Sequence, residues 1–139
     1  MGDIRAAVIA EAMSWVGTPY HHLAAVKGAG VDCAMLLVAV YKAVGVLDPE
    51  FDPRPYSPQW FLHRSEEKFI GHLLPLASRT QTPVPGDVVL YRFGRTASHG
   101  AILVDPERIV HAHRPSRRVE LCELRRLERR LDSYWTVLP

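Results

Sequence analysis

The sequence predicts an α+β fold in which N-terminal helices pack on a small antiparallel sheet. Two observations point there. Apolar residues in the first 45 positions follow a helical period or form one long run, and from residue 85 onward short apolar runs are separated by turn signals. A third observation is length: 139 residues without an internal repeat suit one core, so a single domain over 1–139 is expected.

Composition narrows the class. With 47% apolar and 23% charged residues the chain should fold, and its apolar runs fall short of the roughly 18 residues needed to cross a bilayer. A formal charge of +2 is too mild to demand a polyanion, so no nucleic acid is expected as partner. Cys33 and Cys122 match no zinc or disulfide spacing. The first fifteen residues carry Asp3 and Glu11 and lack the pattern of a secretory signal, so synthesis in the cytoplasm is expected.

Ile4, Ala7, Val8, Ala12 and Trp15 share one helical face, with Asp3 as N-cap and Gly17-Thr18-Pro19 as stop, which predicts a helix over about 3–16. Residues 20–31 fit neither period and read as a loop. Asp32 then opens the run Cys33 to Tyr41, too long for a buried strand and ending at Gly45, hence a central helix. Four prolines within 46–60 mark an extended surface segment, and 60–74 suits a further helix. The polar stretch 77–83 carries no regular pattern. Pro85-Gly86-Asp87 introduces a strand over 88–93, and 101–104 and 108–112 form a hairpin across Asp105-Pro106-Glu107. Leu121, Leu124, Leu127 and Leu131 are spaced like one face of a last helix, followed by a short strand over 134–138.

Cys33 stands at a predicted helix start, where unpaired N–H groups and the helix dipole favour a thiolate, although a cysteine beside an apolar run is also a common buried residue. A thiolate enzyme needs a base. Of seven histidines, His99 at the mouth of a strand is best placed, while His21, His22, His63 and His72 read as loop or surface residues. On the neighbouring strand His111 and His113 share a face because side chains repeat every two residues. A turn centred on Asp105 sets His111 opposite His99, and one centred on Pro106 sets His113 there. His-x-His is also a metal pattern that Cys33 or His99 could complete, but no acidic ligand or second cysteine stands at a zinc-motif spacing. No metal and no cofactor are expected.

Trp15-Val16-Gly17-Thr18-Pro19-Tyr20, Asp32-Cys33, Pro85-Gly86-Asp87-Val88, His99-Gly100-Ala101-Ile102 and Ile109-Val110-His111-Ala112 resemble, in order and spacing, the motifs of the NlpC/P60 family of papain-like cysteine peptidases. The similarity runs over nearly the whole chain. It implies the papain-like fold, with Cys33 as nucleophile, His99 as base, His111 as the residue holding the imidazole (His113 being the alternative), and the His111 register. It also implies that Tyr20 assists the oxyanion with the Cys33 N–H and that Asp32 shapes the helix start. The implied substrate is an amide bond of a bacterial peptidoglycan stem peptide. Ala34-Met35 replace the family's usual small pair, so Met35 either fills substrate space or packs in the core.

Tyr20-His21-His22, Lys27-Gly28-Ala29-Gly30 and Tyr56-Ser57-Pro58-Gln59-Trp60 look most like the phage and gene-transfer-agent branch, which supplies tail-tip proteins. That branch implies a virion tail location, delivery to the wall without a secretion signal, and other tail proteins as partners. The eight arginines between Glu107 and Arg130 then form either a solvated face or a docking surface for an acidic neighbour. Two other functions share these residues: a structural tail-tip subunit with little or no activity, and a thiol acyltransferase or lipid amidase.

Overall fold

The computed structural model describes residues 3–55, 66–93 and 96–138. Helix α1 (Ile4–Ser14) begins where the Asp3 carboxylate accepts from Arg5 N–H at 3.0 Å. Beyond its end, Gly17 adopts φ 93°, a left-handed conformation that glycine takes without strain. Val8, Ala12 and Trp15 bury the inner face.

The stretch 20–31, expected as a loop, contains a small hairpin: β1 (Ala25–Val26) pairs antiparallel with β2 (Gly30–Val31). Two residues per strand are too few to show a period in the sequence. Helix α2 (Cys33–Ala43) is capped by Asp32, which accepts from Met35 N–H at 2.8 Å. Cys33 through Val38, Val40 and Tyr41 are all buried, so the helix is apolar nearly all round and occupies the centre. Each large aliphatic side chain buried there contributes roughly 1.5–3 kcal/mol. The Tyr41 hydroxyl donates to Gly86 C=O at 2.7 Å, which ties the helix to the turn before the sheet.

Helix α3 (Glu66–Leu73) covers the second half of the helix expected over 60–74; residues 60–65, His63 and the segment Tyr56–Trp60 lie outside the described residues. Six antiparallel strands follow: β3 (Ser78–Thr80), β4 (Val88–Phe93), β5 (Thr96–Asp105), β6 (Arg108–His113), β7 (Arg118–Glu123) and β8 (Leu131–Thr136), in the order β3-β8-β4-β5-β6-β7. Strand β3 arises in the polar stretch 77–83, to which the sequence reading assigned no element. As an edge strand paired with β8 and largely exposed, it needs no apolar alternation. Ahead of β4, Asp87 accepts from Arg5 Nη1 and from Val84 N–H, both at 2.9 Å, so Pro85-Gly86-Asp87 anchors the sheet to α1.

The predicted last helix is not formed. Its first part is β7, its middle a 3-10 segment over Leu124–Arg130 with Leu127 at non-helical φ −111°, and β8 begins at Leu131 instead of 134. The leucine spacing misleads because Leu121 packs with the helix-side core while Leu124, Leu127 and Leu131 pack on the far side of the sheet. Pairing of β7 with β6 over its whole length overrides the helical period.

The sheet has two unlike faces. Leu90, Ile102, Val110, Ala112 and Val119 join α1 and α2 in the main core, while Val89, Tyr91, Ala101, Leu103, Ile109 and Cys122 form a smaller cluster on the other side. Among the described residues no helix is long and apolar enough to cross a membrane.

Candidate active site

Cys33 occupies the first position of α2 with 9% of its surface exposed. The backbone N–H groups of Gly100, Ala34 and Cys33 itself point at its sulfur, and the Tyr20 hydroxyl reaches the same atom. Gly100 is what lets strand β5 come so near: a Cβ there would stand 2.6 Å from Leu37 Cδ1 of α2. Tyr20 is half-buried and is held by its own N–H, which donates to Arg117 C=O at 2.8 Å, and by a bridge to Val31. Asp32 caps α2 with one carboxylate oxygen and with the other accepts from Leu23 N–H at 2.8 Å, so it fixes both the helix start and the preceding loop.

The helix start does not make Cys33 a thiolate. Burial first, then the charge of Asp32, push the thiol up to about 12, and the three N–H groups offset only part of this. Burial also raises the Tyr20 phenol, followed by Cys33 and Asp32. Met35 is 2% exposed and packs in the core with Ala34, so it occupies no substrate space.

Strand alternation puts His99, His111 and His113 together on the far face of the sheet. The β5–β6 ladder is centred on Pro106, with Ile102 opposite Val110 and Leu103 opposite Ile109. Extended to the mouth of the strands, this register sets His113 opposite His99, which corrects the register implied by the resemblance. The close contact is nonetheless diagonal: His99 Nε2 lies 2.7 Å from His111 Nδ1, with ring centroids 5.0 Å apart against 5.9 Å for His113. Long planar side chains reach a diagonal neighbour readily. A bulge beside His99, where Tyr91 faces His99 but Arg92 faces Ala97, re-aims this end of β5.

Behind His111 stands a residue that sequence reasoning missed. Glu120 on β7, directly opposite His111, places Oε1 3.2 Å from His111 Nε2 and 3.3 Å from His113 Nδ1. Only the β6–β7 register reveals it, since the leucine spacing had assigned this stretch to a helix. Burial raises the Glu120 carboxyl, but His111, Ser116 and His113 outweigh that and hold it below the usual carboxylate range. Burial, then His111 and His113, keep His99 far below the ordinary imidazole value; burial and then His113 lower His111 as well. These states fix the protons. An ionised carboxylate only accepts, so His111 Nε2 carries hydrogen and donates to Glu120; His111 Nδ1 then accepts from His99 Nε2–H, and His99 Nδ1 is left with a lone pair.

One peptide unit links the cysteine to the histidine strand: Gly100 N–H faces the sulfur, and His99 precedes Gly100 in the chain. Among the described residues no hydrogen bond joins Cys33 to the His99 ring; the resting pair is a thiol and a neutral imidazole. His21 and His72 are exposed and His22 is partly so.

The model of the NlpC/P60 family matches residues 17–136. The chain belongs to the NlpC/P60 family. Solved NlpC/P60 structures share its fold at low identity. The NlpC/p60 domain of the peptidoglycan hydrolase SagA is 20% identical, with TM-score 0.64 over 95% of this chain and 97% of that one. RipD of Mycobacterium tuberculosis, described as a non-catalytic NlpC/p60 domain protein adapted to peptidoglycan binding, is 16% identical, with TM-score 0.62 over 98% of both chains. A Bacillus cereus NlpC/P60 family protein is 19% identical, with TM-score 0.70 over 97% of this chain but 40% of its own. No curated protein matches the sequence significantly. The NlpC/P60 domain thus occurs in hydrolases and in non-catalytic proteins alike.

Proposed function

We propose that this NlpC/P60 chain is a cysteine peptidase that hydrolyses an amide bond of the peptidoglycan stem peptide, with Cys33 as nucleophile, His99 as base and His111 as the group that orients it. The observation that carries this reading is the hydrogen-bonded series Glu120–His111–His99, which leaves a lone pair on His99 Nδ1, one residue along the chain from the Gly100 N–H that faces the helix-start Cys33 sulfur. Substrate seated at Cys33 lets the thiol proton pass to His99 Nδ1 as sulfur attacks the carbonyl. The Cys33 N–H and the Tyr20 hydroxyl receive the developing oxyanion. Imidazolium formed on His99 protonates the departing amine, and the resulting thioester is hydrolysed by a water that His99 deprotonates.

The same proposal places the protein in a phage tail tip, acting on the wall as the phage enters its host, with other tail proteins as partners. It rests on the likeness of Tyr20-His21-His22 and Lys27-Gly28-Ala29-Gly30 to that branch of the family, and the exposed Arg125, Arg126, Arg129 and Arg130 offer a face for an acidic neighbour.

A second reading, a structural or wall-binding subunit without turnover, is favoured by the buried, protonated thiol that lacks a bond to imidazole. Purified protein on defined muropeptides, wild type beside Cys33→Ala and with products weighed by mass spectrometry, separates the two. Cleavage lost in Cys33→Ala supports the peptidase; muropeptide binding without cleavage by either protein supports the second reading. Cleavage of fatty amides but not muropeptides would select a lipid amidase.

A further inference from the structure

We propose that His111, Glu120 and Cys122 form a zinc site on the far face of the sheet, and that zinc bound there switches off the base. The three ligand atoms, His111 Nε2, a Glu120 carboxylate oxygen and Cys122 Sγ, all lie within 4.8 Å of one another. Cys122 Sγ is 3.4 Å and Glu120 Oε1 3.2 Å from His111 Nε2. A tetrahedral zinc with ordinary bond lengths has ligand-to-ligand edges of roughly 3.3–3.6 Å, so the two separations at His111 already fit and only that between Cys122 and Glu120, within 4.8 Å, has to adjust. Imidazole, thiolate and carboxylate together suit zinc better than calcium or magnesium, which take oxygen alone.

Adjacent strands β6 and β7 supply these ligands, which explains why no motif spacing shows them. The surroundings fit as well. His111 is 1% exposed in its side chain, and its other ring nitrogen is already engaged by His99 at 2.7 Å, the second contact that a metal-bound histidine usually keeps. Cys122 lines a cleft of about 490 Å³ with Leu121, Glu123, Arg125 and Arg126, which gives an ion and a fourth ligand from solvent a way in. One group opposes binding: Arg126 Nη1 stands 3.9 Å from Glu120, but with its side chain 63% exposed it is free to swing outward.

The consequence rests on the peptidase reading. Zinc on His111 Nε2 would send the hydrogen held there to solvent; the His99 Nε2 hydrogen would pass to His111 Nδ1 and His99 Nδ1 would take up one proton from solvent, so both rings stay neutral and His111 Nδ1–H donates to His99 Nε2. The neutral His99 ring then carries its hydrogen on Nδ1, the nitrogen that must accept the thiol proton. One ion thereby reverses the direction of the whole series.

Cobalt(II) added to the metal-free, full-length protein reads the site without reference to turnover. Wild type and Cys33→Ala should each bind one cobalt per chain with a thiolate-to-metal absorption band in the near ultraviolet, which zinc displaces. Cys122→Ser should lose the band, and Arg126→Ala should bind more tightly. Absence of the band in wild type, or its loss in Cys33→Ala with retention in Cys122→Ser, overturns the site. Zinc should lower muropeptide cleavage by wild type at least roughly tenfold and spare Cys122→Ser; equal inhibition of both overturns the switch. Lack of cleavage in metal-free buffer defeats the peptidase reading and with it the switch, while the cobalt band still decides the site.

Discussion

On the side of the sheet that meets α1 and α2, the strands present Leu90, Ile102, Val110 and Ala112, all fully buried; on the other side the same strands present His99, His111 and Cys122 among Val89, Ala101 and Ile109. These strand residues of the first side contribute apolar volume and no polar side-chain group. The second buries nitrogen, sulfur and carboxylate groups that satisfy one another, and burial without those partners would cost several kcal/mol per charged group. Cys33 belongs by packing to the first side, yet its sulfur reaches the seam between the two, at the peptide joining His99 to Gly100. On the peptidase reading, reactivity would come from setting a dry helix end against a polar strand end.

The largest expected effect breaks the dry side chemically. Cys33→Ala should lower muropeptide cleavage by at least about a thousandfold while leaving the melting temperature nearly unchanged, because one buried sulfur is a small loss of packing. Next comes its geometry: Gly100→Ala drives a methyl into Leu37 and should cost about 1–3 kcal/mol in urea unfolding, and the double change with Leu37→Ala should cost less than the sum of the two single changes.

The polar side is broken by acid. His99 and His111 lie below the ordinary imidazole value when folded, so as pH falls below about 6.5 the unfolded chain takes up protons first. Stability is therefore complete above that pH and should decline beneath it by up to about 1.4 kcal/mol per pH unit for each imidazole. Thermal unfolding between pH 8 and 5 in chelator should show the decline, and His99→Gln should make it shallower. Glu120→Gln replaces an accept-only carboxylate with a neutral amide that can also donate, so the His111 proton is no longer fixed, and should reduce kcat roughly tenfold with KM little changed. Smallest of all, Asp132→Asn weakens the pair with the half-exposed Arg92 at 2.6 Å but keeps an oxygen that accepts from it, and should cost about 1 kcal/mol.

Where one element's own pattern decides its state, the sequence reading was sound: Asp32 and the apolar run gave α2, and the turn at Pro85-Gly86-Asp87 gave β4. The placements of Cys33 at a helix start and of His99 at a strand mouth were legible for the same reason, whereas the choice of His111 over His113 came only from the family resemblance. What escaped depends on pairing between elements. Strand β3 exists because β8 lies beside it, and β7 replaces a helix because β6 offers six partners in register. Glu120 became visible only with that register, and the protonation of Cys33 only with its burial.

The segment from Gly17 to Tyr20 also lies along the outer edge of β7: Gly17 N–H donates to Val119 C=O, Val119 N–H to Thr18 C=O, and Pro19 bridges Arg118. An unpaired sheet margin is a template on which foreign chains can polymerise. The stretch that blunts this margin is the one that ends in Tyr20, so any chain adding itself along that part of β7 must first pry the phenol from the sulfur. Self-association by this route and loss of the reactive centre would be a single event, visible as fibres that carry no turnover.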